Sequence, residues 1–439
     1  MMAAGYPRRA RSSIASITAF SMSALRDPAA RILNLDLLAV LIAILLPWST
    51  SGVAIVNVIW LIALVPTLDI RAFVHSLRRP ISALPIAIFV LAAVGTLWSD
   101  APWGTRSYAL SPVVKLLMLP LLFYHFERSS RGVWVFAAFA ASCVALMVMS
   151  WIVAFHPEFA LKSGAEFGVP VKNYIDQSQE FALCAVALAY PVIMLLRAGK
   201  FWLAAGLAVV ALGFVLNMAF VVVSRTALVT MPVMLAVFAL FHFKWRTSVA
   251  LFLASALLAS LAWATSPKLQ RTTETFYRDY YYYQLQDEPT SIGIRLEFWK
   301  KSLRFFADAP VAGHGTGSTR GLFERAAGGN RIGKVFASEQ VIGNPHNQTL
   351  NVAIQWGAIG VLVLFAMWLC HLSLFRGGGL VAWIGLVVVV QNIFSSLFNS
   401  HLFDFHEGWM YVLGVGVAGG ALLGERRRAA ASAKNPAEP

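Results

Sequence analysis

The chain has 439 residues, 58% of them hydrophobic and only 13% charged, with a mean hydropathy of +0.68. A soluble domain carries about 25% charged residues, so this composition excludes a water-soluble globular protein and leaves the bilayer as the natural solvent. The formal charge of +14 does not point to nucleic acid, because many of the basic residues sit at the ends of apolar runs, where Lys and Arg fix orientation.

Residues 1–32 are basic and lack a compact apolar region with a small-residue cleavage site, which predicts a cytoplasmic tail rather than a cleaved signal. A helix needs about 20 apolar residues to cross the hydrocarbon core. About twelve spans are predicted, at 33–48, 52–68, 82–98, 109–126, 133–155, 179–196, 201–219, 225–243, 247–265, 348–374, 380–398 and 408–424. Spans one to nine thus occupy 33–265 and spans ten to twelve occupy 348–424. The polar stretch 266–347 between them is placed outside, and 425–439 is a second cytoplasmic tail. With the N-terminus inside, the inner segments hold Arg8, Arg71, Arg78, Arg79, Arg128, Arg131, Arg197, Lys244, Arg376 and Arg426, whereas the outer loop 99–108 holds Arg106 alone. This satisfies the positive-inside rule, and long loops such as 266–347 translocate largely regardless of charge. Residues 292–306 have helical apolar spacing suited to an amphipathic helix on the membrane surface. Cys143, Cys184 and Cys370 lie in apolar runs as packing residues, with neither metal-ligand spacing nor a disulfide framework.

Several polar residues stand out against this background. Lys115 lies inside a span, where a charge faces a cavity or a partner by default or snorkels to the headgroups. Arg225, at the outer end of a span, is either a snorkelling residue or a fixed cation facing an anion. Arg295 is flanked by Ile294 and Leu296, while Glu297, Lys300, Lys301 and Arg304 suit the solvated face of the same amphipathic segment. Gly313, Gly315 and Gly317 alternate, either as a tight turn or as backbone that lets N–H groups approach an anion. The run 309–318 is not a GxGxxG fingerprint and no strand–helix unit surrounds it, so no nucleotide cofactor is expected. His346 sits at the mouth of an outer-face helix, where an imidazole is suited to general-base work, with Asn347 beside it as an orienting or substrate-binding group. The cluster His401, Asp404, His406 and Glu407 reads as ordinary solvated loop charge, and no metal site is expected.

The segments LWSDAPWGTRSYALSPVVKLL at 97–117, SRTALV at 224–229, GIRLEFWKKSLRFFADAPVAGHGTG at 293–317 and PHNQTLNVAIQWGAIG at 345–360 together resemble the O-antigen ligase/polymerase superfamily. The resemblance implies an all-helical, GT-C-like polytopic membrane enzyme of the inner membrane with a periplasmic site. Carried over by position, the family's two essential arginines fall on Arg225 and Arg295 and its essential histidine on His346. The implied reaction passes a polysaccharide from undecaprenyl diphosphate to a sugar hydroxyl of lipid A–core oligosaccharide. It is expected to be inverting, metal-independent and without a cofactor, with Lys115, Asn347, Gly313, Gly315 and Arg304 as substrate-binding candidates. The alternatives are an O-antigen polymerase, which uses the same donor but a lipid-linked repeat as acceptor, and a polysaccharide or lipid transporter. A transporter fits less well, because no repeat relates the two halves and the large loop falls between spans nine and ten.

Overall fold

The computed structural model describes residues 27–162, 164, 166–286, 288–328 and 340–434, and the described residues contain helices and no strands. Most of the expected cytoplasmic tail, 1–26, and the end of the C-terminal tail, 435–439, lie outside them. All twelve expected spans coincide with helical segments. Nine are long and apolar enough to cross a membrane unaided: Pro28–Leu45, Thr50–Thr67, Trp103–Phe126, Gly132–Phe155, Tyr174–Arg197, Phe201–Phe220, Arg225–His242, Trp245–Thr265 and Gln348–Leu374. A tenth is the pair Ile70–Leu77 and Pro80–Gly95, bent by 80°. Leu380–Ser395 is apolar but shorter, and the last expected span begins the long helix Phe405–Lys434. The protein is an all-helical polytopic membrane protein.

Local chemistry explains the punctuation. Arg79 precedes Pro80 and takes an extended conformation (φ −67°, ψ 133°), which breaks the helix there. Asp27, Ser49, Asp69, Asn173 and Ser266 cap their helices through the side chain. The first helix starts at Pro28, inside the stretch expected as tail, because Asp27 and Pro28 supply a cap and a first-turn proline. At the Arg-rich end of the bundle Asp36 accepts from Ser129 at 2.9 Å and lies 2.8 Å from His125, and Arg79 grips Glu127 through both carboxylate oxygens. Arg426 and Arg427 donate to the carbonyls of Leu374 and Glu127, so the final helix is tied down where it leaves the core.

The other end carries the polar region, built from Pro267–Leu285, Ser291–Asp308 and Ser318–Gly328. The amphipathic helix Ser291–Asp308 does not face a membrane surface with its apolar side. Phe298 and Phe305 pack with Phe323, Leu322 and Ile354 into a small satellite core, so this helix is clamped onto Gln348–Leu374. That long helix is itself interrupted at Gly357 (φ 61°, ψ −156°). The turn after Asp308 inserts at the break. Ala358 and Ile359 donate to the carbonyls of Pro310 and Val311, while the carbonyls of Ile354 and Gln355 accept from His314 and Gly315. The inserted turn thus replaces the helix's own missing hydrogen bonds, as irregular backbone at membrane depth requires.

Candidate active site

The sequence-predicted residues His346, Arg295 and Arg225 come together at the polar end. Arg295 is half-buried near the start of Ser291–Asp308. Phe298 and Trp299, three and four positions on, share its face. Phe298 stacks against the His346 ring with centroids 6.4 Å apart, and Trp299 donates from Nε1 to the Pro345 carbonyl at 3.1 Å. Burial chiefly lowers the His346 imidazole below its ordinary value, and the positive charge of Arg295 adds to the effect. Burial likewise holds Arg295 below the usual guanidinium range, with Tyr174 opposing and Arg225 reinforcing. Arg295 is thus near enough to both His346 and Arg225 for their charges to act on one another. Among the described residues Arg295 has no carboxylate partner, which leaves its planar fork of donors for a ligand.

Arg225 opens the helix Arg225–His242 and donates from Nη1 to Asp279 Oδ2 at 3.0 Å, with its guanidinium 5.2 Å from the Phe276 ring centroid. It is therefore not a bare cation, because one edge is held by Asp279. It lines a cleft of about 350 Å³ together with Glu166, Tyr174, Lys268, Arg271 and Thr272. Lys268 donates to the Val221 carbonyl and Arg271 is exposed. Sequence reasoning left Lys268, Arg271 and Asp279 out, because they lie in a stretch whose charges look like a solvated helix face. The apolar pocket between Leu46, Phe136 and Leu188 lies among the spanning helices and carries no polar chemistry.

His346 has a φ of 54°, the positive-φ non-glycine position among the described residues. Asn344 Oδ1 accepts its N–H at 3.0 Å, and Asn399 Oδ1 lies 2.9 Å from its Nδ1. Asn347 does something else: its Oδ1 caps Gln348–Leu374 through Leu350 N, and its amide donates to the Leu397 carbonyl. The residue that orients His346 is Asn399, 53 positions away, not Asn347.

Other expected binding residues fall into structural places. The N–H groups of Gly313 and Gly315 donate to the carbonyls of Ala309 and Gln355, and that of Gly317 to Gln355 Oε1, so this turn does not present them to an anion. Its glycines are demanded by packing: a Cβ on Gly315 would stand 2.6 Å from Ser99 Cα, and one on Gly313 2.5 Å from the Gln355 carbonyl carbon. Lys115 is buried and donates to the carbonyls of Phe403, at 2.9 Å, and Asp404. Arg304 is exposed, with no hydrogen bond or ion pair among the described residues.

Of the cluster read as solvated loop charge, His401, His406 and Glu407 are buried instead and Asp404 is half-buried. His401 and Glu407 are 1% and 6% exposed. His406 lies 2.5 Å from Asp176, itself buried in the neighbouring helix. The segment after Ser395 folds inward and packs these groups against Tyr174–Arg197, a long-range arrangement that local polarity cannot reveal. Burial pushes the Asp404 carboxyl up to about 6, opposed by Lys115, and lowers the His401 imidazole to about 4. His401, Asp404 and Glu407 offer ligand atoms within 4.8 Å of one another. Lys115 Nζ donates to the Asp404 carbonyl beside them.

Residues 214–365, which contain Arg225, Arg295 and His346, match the model of the family described as O-antigen ligase. The match supports the superfamily to which the sequence motifs pointed. Comparison with the curated proteins found no match.

Proposed function

With the O-antigen ligase/polymerase superfamily as the premise, whose members are glycosyltransferase-like enzymes, we propose that this protein is an O-antigen ligase. It transfers a polysaccharide from undecaprenyl diphosphate to a sugar hydroxyl of lipid A–core at the periplasmic face of the inner membrane. The observation that carries this reading is the meeting of an oriented, neutral-leaning imidazole with a guanidinium that has no carboxylate partner among the described residues, beside a basic cleft.

In this reading the diphosphate lies in the cleft against Arg225 and Arg295, with Lys268 and Arg271 at its rim. Guanidinium forks bind phosphate oxygens bidentately and stay charged at any working pH. The acceptor hydroxyl oxygen attacks the anomeric carbon from the His346 side, and its proton passes to His346 Nε2. The bond from the anomeric carbon to the diphosphate oxygen breaks, and its electron pair leaves with the diphosphate. The negative charge that develops there faces Arg295 and Arg225, which are already in place to stabilise it. A single displacement inverts the anomeric centre. Positive charge at the leaving group comes from side chains, so the reaction is metal-independent, and a chelator leaves the rate unchanged.

The test is transfer by the purified protein in lipid nanodiscs, with undecaprenyl diphosphate–linked polysaccharide as donor. Lipid A–core and excess donor are supplied as competing acceptors. A ladder on lipid A–core supports the ligase. Lengthening of the donor lipid with no product on the core contradicts it and assigns a polymerase.

A further inference from the structure

We propose that Asn399 is a positioning residue that holds His346 in the tautomer with hydrogen on Nδ1 and a bare Nε2, and that Asp404 fixes the orientation of Asn399. The inference deepens the reading of His346 as the base and rests on it for its catalytic consequence.

Asn344 Oδ1 accepts from the His346 backbone N–H at 3.0 Å and from Ser400 Oγ at 2.7 Å, so the Asn344 amide nitrogen must point the other way. It donates to Asn399 Oδ1 at 3.1 Å. On its other side Asn399 Nδ2 donates to Asp404 Oδ2 at 2.6 Å. Turning the Asn399 amide over would set its NH₂ against the Asn344 NH₂ and its oxygen against a carboxylate. Both contacts oppose the flip, so the Asn399 oxygen faces His346. An amide oxygen only accepts, and the 2.9 Å contact to His346 Nδ1 is a hydrogen bond only when Nδ1 carries the hydrogen. The neutral ring then has its lone pair on Nε2.

The chain is anchored behind Asp404. Lys115 donates to the Phe403 and Asp404 carbonyls, and the backbone N–H groups of both residues donate to the Ser400 carbonyl. Asn351 donates to Ser400 Oγ at 3.1 Å, linking the turn to the helix that follows His346. The loop 396–404 is thereby fastened to the turn 344–348 at several points. This gives Lys115 a role in the site without contact to substrate.

The experiment reads the tautomer directly and independently of turnover. Protein labelled with ¹⁵N-histidine is examined in nanodiscs at a pH where His346 is neutral, with His346→Ala used to assign its ring nitrogens. The wild type is expected to show Nδ1 protonated and Nε2 unprotonated. Asn399→Ala is expected to lose that preference and to lower kcat by about 10²-fold, within the range of general-base effects, while the KM for donor stays within a factor of two or three. The exchange N399D/D404N keeps an acceptor at His346 and a donor at position 404. It is expected to show the Nδ1–H tautomer and at least a tenth of wild-type kcat. Thermal melts on all variants exclude loss of fold. A wild-type ring protonated on Nε2, or an Asn399→Ala variant with unchanged tautomer and kcat, overturns the proposal. If His346→Ala transfers normally while the Nδ1–H tautomer stands, the reading of His346 as base falls and the assignment of Asn399 as its tautomer anchor survives.

Discussion

The imidazole of His346 is pushed toward its neutral form by burial first and by the charge of Arg295 second, against the pull of its bond to Asn399. A base works unprotonated, so transfer is predicted to fall only as the pH drops below about 6.5, the unperturbed value, and to be level above it. Replacing Arg295 by Gln removes a positive neighbour and is expected to raise the His346 pKa, read as an upward-shifted midpoint in an NMR titration of the ring. An unchanged or lower midpoint would contradict the placement of Arg295 beside it. At the cleft, Lys268→Ala and Arg271→Ala are each predicted to raise the donor KM about 3- to 10-fold with kcat kept, as expected of phosphate contacts that do not change toward the transition state. His346, Arg295 and Arg225 stood out in the sequence as proposed site residues because a charged or titratable group beside apolar runs is conspicuous and because the family resemblance falls on them. Asn399 and Asp279 did not, because an amide or carboxylate acquires its role from a partner some 50 positions away, and Asp404 read as solvated loop charge. Asn347 drew the eye by adjacency, and adjacency in sequence placed it at a helix cap.

At the scale of elements, long apolar runs gave the spans away. Their interruptions were less visible, since an 80° bend at Pro80 and a break at Gly357 depend on what packs into them. The glycine-rich turn 313–317 shows the same point. Alternating glycines mark close approach to backbone, and the sequence could not say whether that backbone belongs to a ligand or to the protein. Here it belongs to the protein: a Cβ on Gly357 would meet the Val311 carbonyl oxygen at 2.3 Å, and one on Gly315 the Gly95 oxygen at 2.7 Å. Both glycines have positive φ, so Gly315→Ala and Gly357→Ala combine a strained backbone with a clash. Each is predicted to destabilise the protein by about 1–3 kcal/mol, seen as a lower midpoint in a thermal melt in nanodiscs. A variant that melts with the wild type but loses donor binding would instead restore the turn as an anion cradle.

For the molecule as a whole, the two ends of the bundle differ in chemistry. One end carries the arginines that cap helices and grip Asp36 and Glu127, and the other carries the cleft, His346 and the buried cluster around Asp404. The positive-inside rule assigns the first to the cytoplasm. With Cys143, Cys184 and Cys370 replaced by Ala, a cysteine at Tyr281 is predicted to react with a membrane-impermeant thiol reagent from the periplasmic side, and one at Arg427 only after the membrane is opened. The reverse pattern would turn the protein over and remove the site from its proposed donor. In the proposed function this end transfers glycan through His346, with Arg295 holding the diphosphate. The most direct test is single-turnover transfer from a labelled undecaprenyl diphosphate donor to lipid A–core by wild type, His346→Ala and Arg295→Gln, with donor binding measured in parallel. The account predicts that His346→Ala binds donor normally and transfers about 10²–10⁴-fold more slowly, and that Arg295→Gln is impaired in both. Transfer by His346→Ala at the wild-type rate would contradict it.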